Sequence, residues 1–350
     1  MKQLSIASLV LLVSFAFWGC INEIKLDIDS AQQWVVVDGQ LTDSLQVCQI
    51  KISNSAIIGV GNDNILTPIT GCTVRVLDDV GGSFDFTETS DGIYSREMEG
   101  EQGRQYHVEV KLPTGKTILS HPTALEAAPD LLPSSAEIIE KTTISPTGKA
   151  VTSNQLFLKM NTDVGTSTPR PYLRWQAKGE YEFKEAYPMA LSTKTCYIKD
   201  NVDFNNIKIF DTNELPGTTL TNEPFLTTSY NYRFADMYCF HLFQYSIGAE
   251  EYKYWEGVRD IVNIDGSLFD PPPGTVRGNL YDPADPDELI LGYFSVAGVA
   301  YSREFMNANS LGFFVEPKCS SLSFRPQYAE CRACETILFS SVEKPAYWKP

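Results

Sequence analysis

Short segments in which apolar and polar residues alternate, separated by glycine turns about every ten residues, run from position 34 to about 120 and leave little room for anything but β-structure. Cys48, Ile50 and Ile52 alternate along one segment, and Cys72, Val74 and Val76 along another. Asp38-Gly39, Gly81-Gly82, Asp91-Gly92 and Pro113-Thr114-Gly115 supply the turns. This pattern predicts an immunoglobulin-like or carboxypeptidase-regulatory-like β-sandwich over residues 32–121.

Beyond it, Pro122, Pro129 and Pro133 interrupt any periodicity, so 122–135 reads as a linker. Strand-like pieces resume at 155–160, 172–177 and 181–183. One helix stands out, with Ser246 as its cap, Glu250 and Glu251 at its positive end, and Trp255, Val258 and Val262 at helical spacing. After the stiff segment Phe269-Asp270-Pro271-Pro272-Pro273-Gly274, a long strand is expected over 289–305, where Gly292 and Gly298 mark a bulge or a close backbone approach. The expected class is therefore mainly β: an N-terminal sandwich, then a larger β-rich domain over 136–350 carrying one packed α-helix.

The first twenty residues point outside the cytosol. Lys2, an apolar run over 4–17, and Gly19 before Cys20 have the form of a lipoprotein export signal, 1–19, with Cys20 as the acylated first residue and 20–31 as a tether. Phe17 and Trp18 depart from the usual cleavage box, which keeps an ordinary secretory signal or an anchor helix as alternatives. Past residue 20 no apolar run approaches the ~20 residues of a spanning helix, so membrane attachment would be through lipid.

Composition narrows the partners. Hydrophobic residues at 43% and charged residues at 21% exclude wholesale disorder, while 17 Tyr and 19 Phe favour strands. A formal net charge of -16 with no basic cluster argues against nucleic acid.

The 8 cysteines suit an oxidising compartment. With Cys20 acylated, Cys48 and Cys72 are expected to pair, because both alternate with core-facing residues; closing a loop of about 25 residues would stabilise the fold by about 3–4 kcal/mol. Pairing among Cys196, Cys239, Cys319, Cys331 and Cys334 stays open. Cys331-Arg332-Ala333-Cys334 has redox or zinc spacing, but lacks a βαβ context and a full ligand set, so a structural disulfide with Cys319 as a candidate partner is preferred.

Other chemistry-bearing groups read as structural. Asp282, Asp285, Asp287 and Glu288 crowd a turn without the order of an EF-hand, and Gly61-Asn62-Asp63-Asn64 is a second oxygen-rich loop. His107, His121 and His241 have no metal-binding spacing, and neither HExxH nor GxSxG occurs. No catalytic residue, cofactor or metal is expected.

Several segments together resemble one family. Val35-Val36-Val37-Asp38-Gly39 with Leu41-Thr42-Asp43, the 269–274 segment with Arg277-Gly278-Asn279, Leu291-Gly292-Tyr293-Phe294-Ser295, the Cys331/Cys334 pair and Lys344-Pro345-x-x-Trp348 are similar to a family of Bacteroidota lipoproteins known as a domain of unknown function. Members are often encoded beside TonB-dependent outer-membrane receptors. The resemblance implies an accessory role in uptake or surface assembly; with the lipid signal, the stapled sandwich and the lack of a reactive constellation, the expectation is an outer-membrane-anchored, non-enzymatic lipoprotein that binds beside such a receptor or another envelope β-barrel. It departs between Cys334 and Lys344, where glycines are expected and Glu335-Thr336-Ile337-Leu338-Phe339 stands. The alternatives are a surface hydrolase of glycans or peptides whose carboxylates converge only on folding, and a structural envelope protein facing the periplasm.

Overall fold

A parallel strand pair joins an early strand to a late one and organises what lies between them. In this computed structural model the described residues are 33–55, 66–145, 147–166, 168–187, 193–202, 207–263, 275–321 and 328–348. The export segment with Cys20, the 21–31 tether, the Gly61–Asn64 loop and the 269–274 segment lie outside them. Residues 34–54 and 68–350 make one compact unit, described here; residues 1–33 and 55–67 make another, of which few are described.

The first strands are β1 (Val35–Thr42), β2 (Gln46–Asn54), β3 (Thr67–Pro68), β4 (Thr73–Asp78), β5 (Ser83–Ser90), β6 (Ile93–Met98), β7 (Gln105–Lys111), β8 (Thr117–Ser120) and β9 (Thr123–Ala124). Then come β10 (Asp130–Ile144), β11 (Ala150–Asp163), β12 (Tyr172–Lys184), β13 (Thr195–Asp200), β14 (Lys208–Asp211), β15 (Thr219–Ser229), β16 (Tyr238–Ile247), helix α1 (Ala249–Val262), β17 (Leu280–Tyr281), β18 (Leu291–Met306) and β19 (Ser340–Ser341). The fold is mainly β, with two sheets and one main helix. The large sheet runs β17-β8-β7-β4-β5-β6-β2-β1-β18-β16-β12-β13-β19, and the small one is β10-β11-β15.

Strand β5 turns the early part of the large sheet around a core: Ser83–Phe86 pairs with β4, while Thr87–Ser90 pairs with β6 across a register shift. Val37, Ile50, Ile52, Val74, Val76, Val108 and Ile118 fill that core, and they are joined by Phe294 and Val296 of β18. The late strand β18 thus completes the core of the early strands. A second core lies between the two sheets, where Leu156, Leu158 and Met160 of β11 meet Leu173, Trp175, Phe240 and Leu242. Gln244 is buried in it and accepts from Thr162 Oγ1 (2.6 Å) and Trp175 Nε1 (2.8 Å) while donating to the Pro129 carbonyl (2.7 Å). That network satisfies the amide, without which burial would be costly.

Three sequence expectations change. The 122–135 linker contains β9 and the start of β10, whose register shifts between Leu132 and Ser135, where Pro133 can donate no ladder bond. Ser246 does not cap the helix, because β16 continues through it to Ile247 and Gly248 takes the cap position. Val262 is exposed, and α1 rests through Tyr252 and Trp255 on Tyr172, Ile209 and Tyr245.

The joint itself is close-fitting. Strand β1 pairs in parallel with β18 from Val36↔Leu291 to Thr42↔Ala297. Gly292 has φ +93, and a Cβ there would strike the backbone of Val37; a Cβ on Gly298 would strike the backbone at 126–128. Neither clash can be relieved by turning a side chain. Gly292→Ala is expected to cost about 2–4 kcal/mol and to lower the melting temperature by about 3–6 °C. Gly115→Ala, also at positive φ but with open space around it, should cost only about 1 kcal/mol. Thermal melts compare the two, and equal losses would contradict a joint that depends on close backbone approach.

Candidate functional site

Strand alternation leaves one face of the large sheet over the second core and turns the other outward. Along β12 the outward residues are Arg174, Gln176, Lys178 and Glu180; along β16 they are Cys239, His241, Phe243 and Tyr245. Register sets them in rows with β18: Arg174–Tyr245–Val299, Gln176–Phe243–Tyr301, Lys178–His241–Arg303 and Glu180–Cys239–Phe305. Cations lie over rings along this face. Arg174 is 3.8 Å from the Trp255 ring centre, Lys178 is 5.4 Å from that of Phe243, and Arg303 is 4.5 Å from that of Tyr347.

Two cavities open on the face. The first, about 410 Å³, spans β2, β1, β18, β16 and β12, and is walled by Asp38, Gln40, Gln46, Gln49, Lys51, Arg174, Gln176, Lys178, Phe243, Tyr245, Trp255, Tyr293 and Ser295. The second, about 530 Å³, shares Lys178 and Phe243 with it and adds Glu180, Lys199, Asp200, His241, Phe339 and Tyr347. Together they form a groove. Its first half exists only because β1 lies against β18, which sets Asp38 beside Tyr293 and Gln40 beside Ser295.

Desolvation shapes the acids here. Asp38 meets solvent in the first cavity, yet its walls hold the carboxyl above the ordinary range, against the pull of Lys51 and then Arg174. Glu251 of α1 is 1% exposed and closed off behind the wall. Its Oε1 accepts from Ser295 Oγ (2.8 Å) and Trp255 Nε1 (3.1 Å), whereas Oε2 has no partner among the described residues. Burial raises its pKa despite Arg174 and those two donors.

At the far end, burial alone would raise Glu180, but hydrogen bonds from His241 and Tyr347 outweigh it and hold the carboxyl below its usual range. Tyr347 Oη donates to Glu180, and His241 Nε2 lies 3.7 Å from it. His241 Nδ1 is 2.6 Å from Tyr301 Oη. Asp200 accepts from Tyr238 Oη (2.8 Å) and from Arg233. Cys239 Sγ is 3.8 Å from His241 Nε2, but the thiol is buried under Tyr197 and Trp348, so this pair is no reachable nucleophile.

The cysteines correct the sequence reading. Cys48 and Cys72 are both thiols. The Cys48 Sγ donates to the Gln40 carbonyl at 2.9 Å, while that of Cys72 faces the Ile69 carbonyl, and β5 and β6 separate their strands in the sheet. Alternation fixed which side each sulfur takes, but not its neighbour. Burial pushes the Cys48 thiol up to about 12. The Cys331/Cys334 motif divides between two bridges, Cys319–Cys331 and Cys196–Cys334. Their sequence separations of 12 and 138 correspond on a loop-closure argument to about 3 and about 5 kcal/mol. Cys196, Cys334 and Glu335 are the one three-ligand cluster among the described residues, and two of its sulfurs are bonded to each other.

Other candidates from the sequence have partners away from the groove. Lys116 pairs with Asp282 (3.8 Å) and Glu288, neutralising part of the acidic turn, and Asp282 Oδ1 accepts from the Ala284 N–H. His121 stacks on Tyr281 at 4.8 Å. His107 lies in β7, opposite Leu77. Among the described residues no helix is long and apolar enough to cross a membrane.

A β-fold with an open polar groove on one sheet face is the setting for the comparison with known proteins. The chain belongs to the family described as a domain of unknown function (DUF4249), whose model matches residues 21–303. No curated protein matches it. The matched span contains every wall residue of the first cavity, while Phe339 and Tyr347 of the second lie beyond it.

Two variants test the electrostatics. Because the folded pKa of Glu251 is raised, the native state holds this proton more tightly than the unfolded chain; stability from it is fullest below the ordinary carboxylate range and is lost as pH rises from there through the raised folded pKa. Glu251→Gln should therefore lose less stability than wild type between acid and neutral pH, and an unchanged slope in thermal melts would contradict this. Glu180 has the opposite sign: its contribution is present above its ordinary pKa and lost as pH falls. Tyr347→Phe should cost about 1–2 kcal/mol at neutral pH, shrinking on acidification; a loss independent of pH would argue for ring packing alone.

Proposed function

We propose that this chain is an outer-membrane-anchored lipoprotein that works by binding, as an accessory of a TonB-dependent receptor or another envelope β-barrel in uptake or surface assembly. The observation that carries the reading is the groove, a solvent-open run of amides, cations and rings across six adjacent strands, β2 to β13. Export and acylation at Cys20 rest on the apolar run and the glycine that precede it. Membership of the family agrees with the domain-of-unknown-function part of the resemblance, while the receptor partner rests on the resemblance of the quoted segments to Bacteroidota lipoproteins.

A hydrolase would need two carboxyls of unlike state facing one cavity. Asp38 faces the first, but Glu251 is enclosed behind Ser295 and Trp255. In the second, Glu180 and Asp200 are already acceptors for Tyr347, and for Arg233 and Tyr238. Binding accounts for this better than bond cleavage.

Extraction of the tagged, full-length chain in mild detergent, followed by mass spectrometry, is the test. An outer-membrane β-barrel should coelute, Cys20 should carry acyl chains, and Cys20→Ala should move the protein to the soluble fraction. A bare Cys20 thiol, or a lone monomer in every preparation, would contradict the proposal.

A further inference from the structure

The geometry points to an oligosaccharide as the ligand of the groove, an inference that rests on the binding reading above. The two cavities share Lys178 and Phe243, so one elongated molecule can occupy both. The first cavity carries the carboxamides of Gln40, Gln46, Gln49 and Gln176. Each amide offers a donor and an acceptor without charge, which matches sugar hydroxyls, themselves both donors and acceptors. Gln40 Nε2 is buried without a partner among the described residues, so turning this amide toward the cavity to meet a ligand hydroxyl would break no hydrogen bond of that donor.

Rings supply the complementary surface. Phe243 is only half-buried and borders both cavities, so part of its ring is a surface against which the C–H face of a pyranose can lie, while Tyr245 beside it is buried under α1 and backs that ring. At the other end, Phe339 is 77% exposed and sits at φ 62, a conformation costly for a bulky residue. It occupies the stretch where the family resemblance led us to expect glycines. The neighbouring chain holds it there: its carbonyl accepts from the Lys199 N–H (3.3 Å), β19 follows directly, and Cys334 is bridged to Cys196. The outcome is an aromatic face presented to the second cavity.

An extended peptide fits less well. Peptides commonly bind by adding a strand to a free edge. Here β2, β1, β18 and β16 lie inside the sheet, and β12 pairs with β16 on one side and with β14 and then β13 on the other, so among the described residues β12 leaves only the short stretch 176–178 without a ladder partner on that second side.

The test uses the intact chain on an array of neutral and uronate oligosaccharides with an extended-peptide arm, followed by calorimetric titration with whichever oligosaccharide is retained. Saccharide binding is expected, with Phe243→Ala and Gln176→Ala each weakening it about tenfold or more. Phe314→Ala, at an exposed residue outside both cavities, should leave it unchanged, and circular dichroism melts verify that the variants fold. Retention of peptides alone, no retention of any saccharide, or binding indifferent to both groove substitutions would overturn the inference. Coelution of a barrel partner alongside such a negative array would leave the accessory reading standing and remove only the saccharide.

Discussion

The parallel contact between β1 and β18 is the constraint on which the rest depends. It pairs residues such as Val36 and Leu291, far apart in sequence, and it requires backbone to approach backbone where Gly292 carries no side chain. Because β18 also pairs with β16, this contact makes a continuous sheet out of the early strands and the later ones. Phe294 and Val296 enter the first core, while Met306 at the other end of the same strand enters the second. Such a topology is rich in non-local pairings, which favours slow folding. The Cys196–Cys334 bridge ties a segment after β18 to β13, at the opposite end of the sheet from β17.

The outward face follows from the same arithmetic of alternation. Trp175, Ala177, Phe240 and Leu242 point into the core, so Arg174, Gln176, His241 and Phe243 must point away from it. Rings and cations then meet across strands. On a chain of net charge -16, the wall of the first cavity sets Lys51, Arg174 and Lys178 around the single carboxylate Asp38, whose desolvation by the walls outweighs the pull of Lys51 and Arg174 on its charge. The groove is therefore electrostatically unlike the surface around it. A second acid, Glu251, helps to hold Ser295 and the Trp255 indole in the wall at the cost of ionising less readily.

How much of this the sequence disclosed depended on range. Alternation at Cys48-Ile50-Ile52 and Val74-Val76 marked strands and their buried side, and the glycines at 292 and 298 marked close approaches, because these are local properties of the backbone. The helix was legible from its periodicity, but its start was not, since Ser246 could serve equally as a cap or as the last turn of a strand. The pairing of Cys48 with Cys72 went wrong because alternation tells side and not neighbour. The groove was invisible for a stronger reason: β16 is apolar on both faces, so Phe243 and Tyr245 read as core, and their cavity partners Gln40 and Gln49 lie some two hundred residues earlier (roughly, by the usual non-local character of sheet contacts).

Native-state amide exchange on the full chain tests the central claim most directly, because it reads the β1–β18 contact without any ligand. Amides of β1 and of the paired part of β18, from Val36 to Leu41 and from Gly292 to Val296, should open together, with the same high free energy and the same dependence on denaturant. If β1 exchanged readily while β18 and β16 stayed protected, the early strands would be a loosely attached body, and the groove as described would not exist.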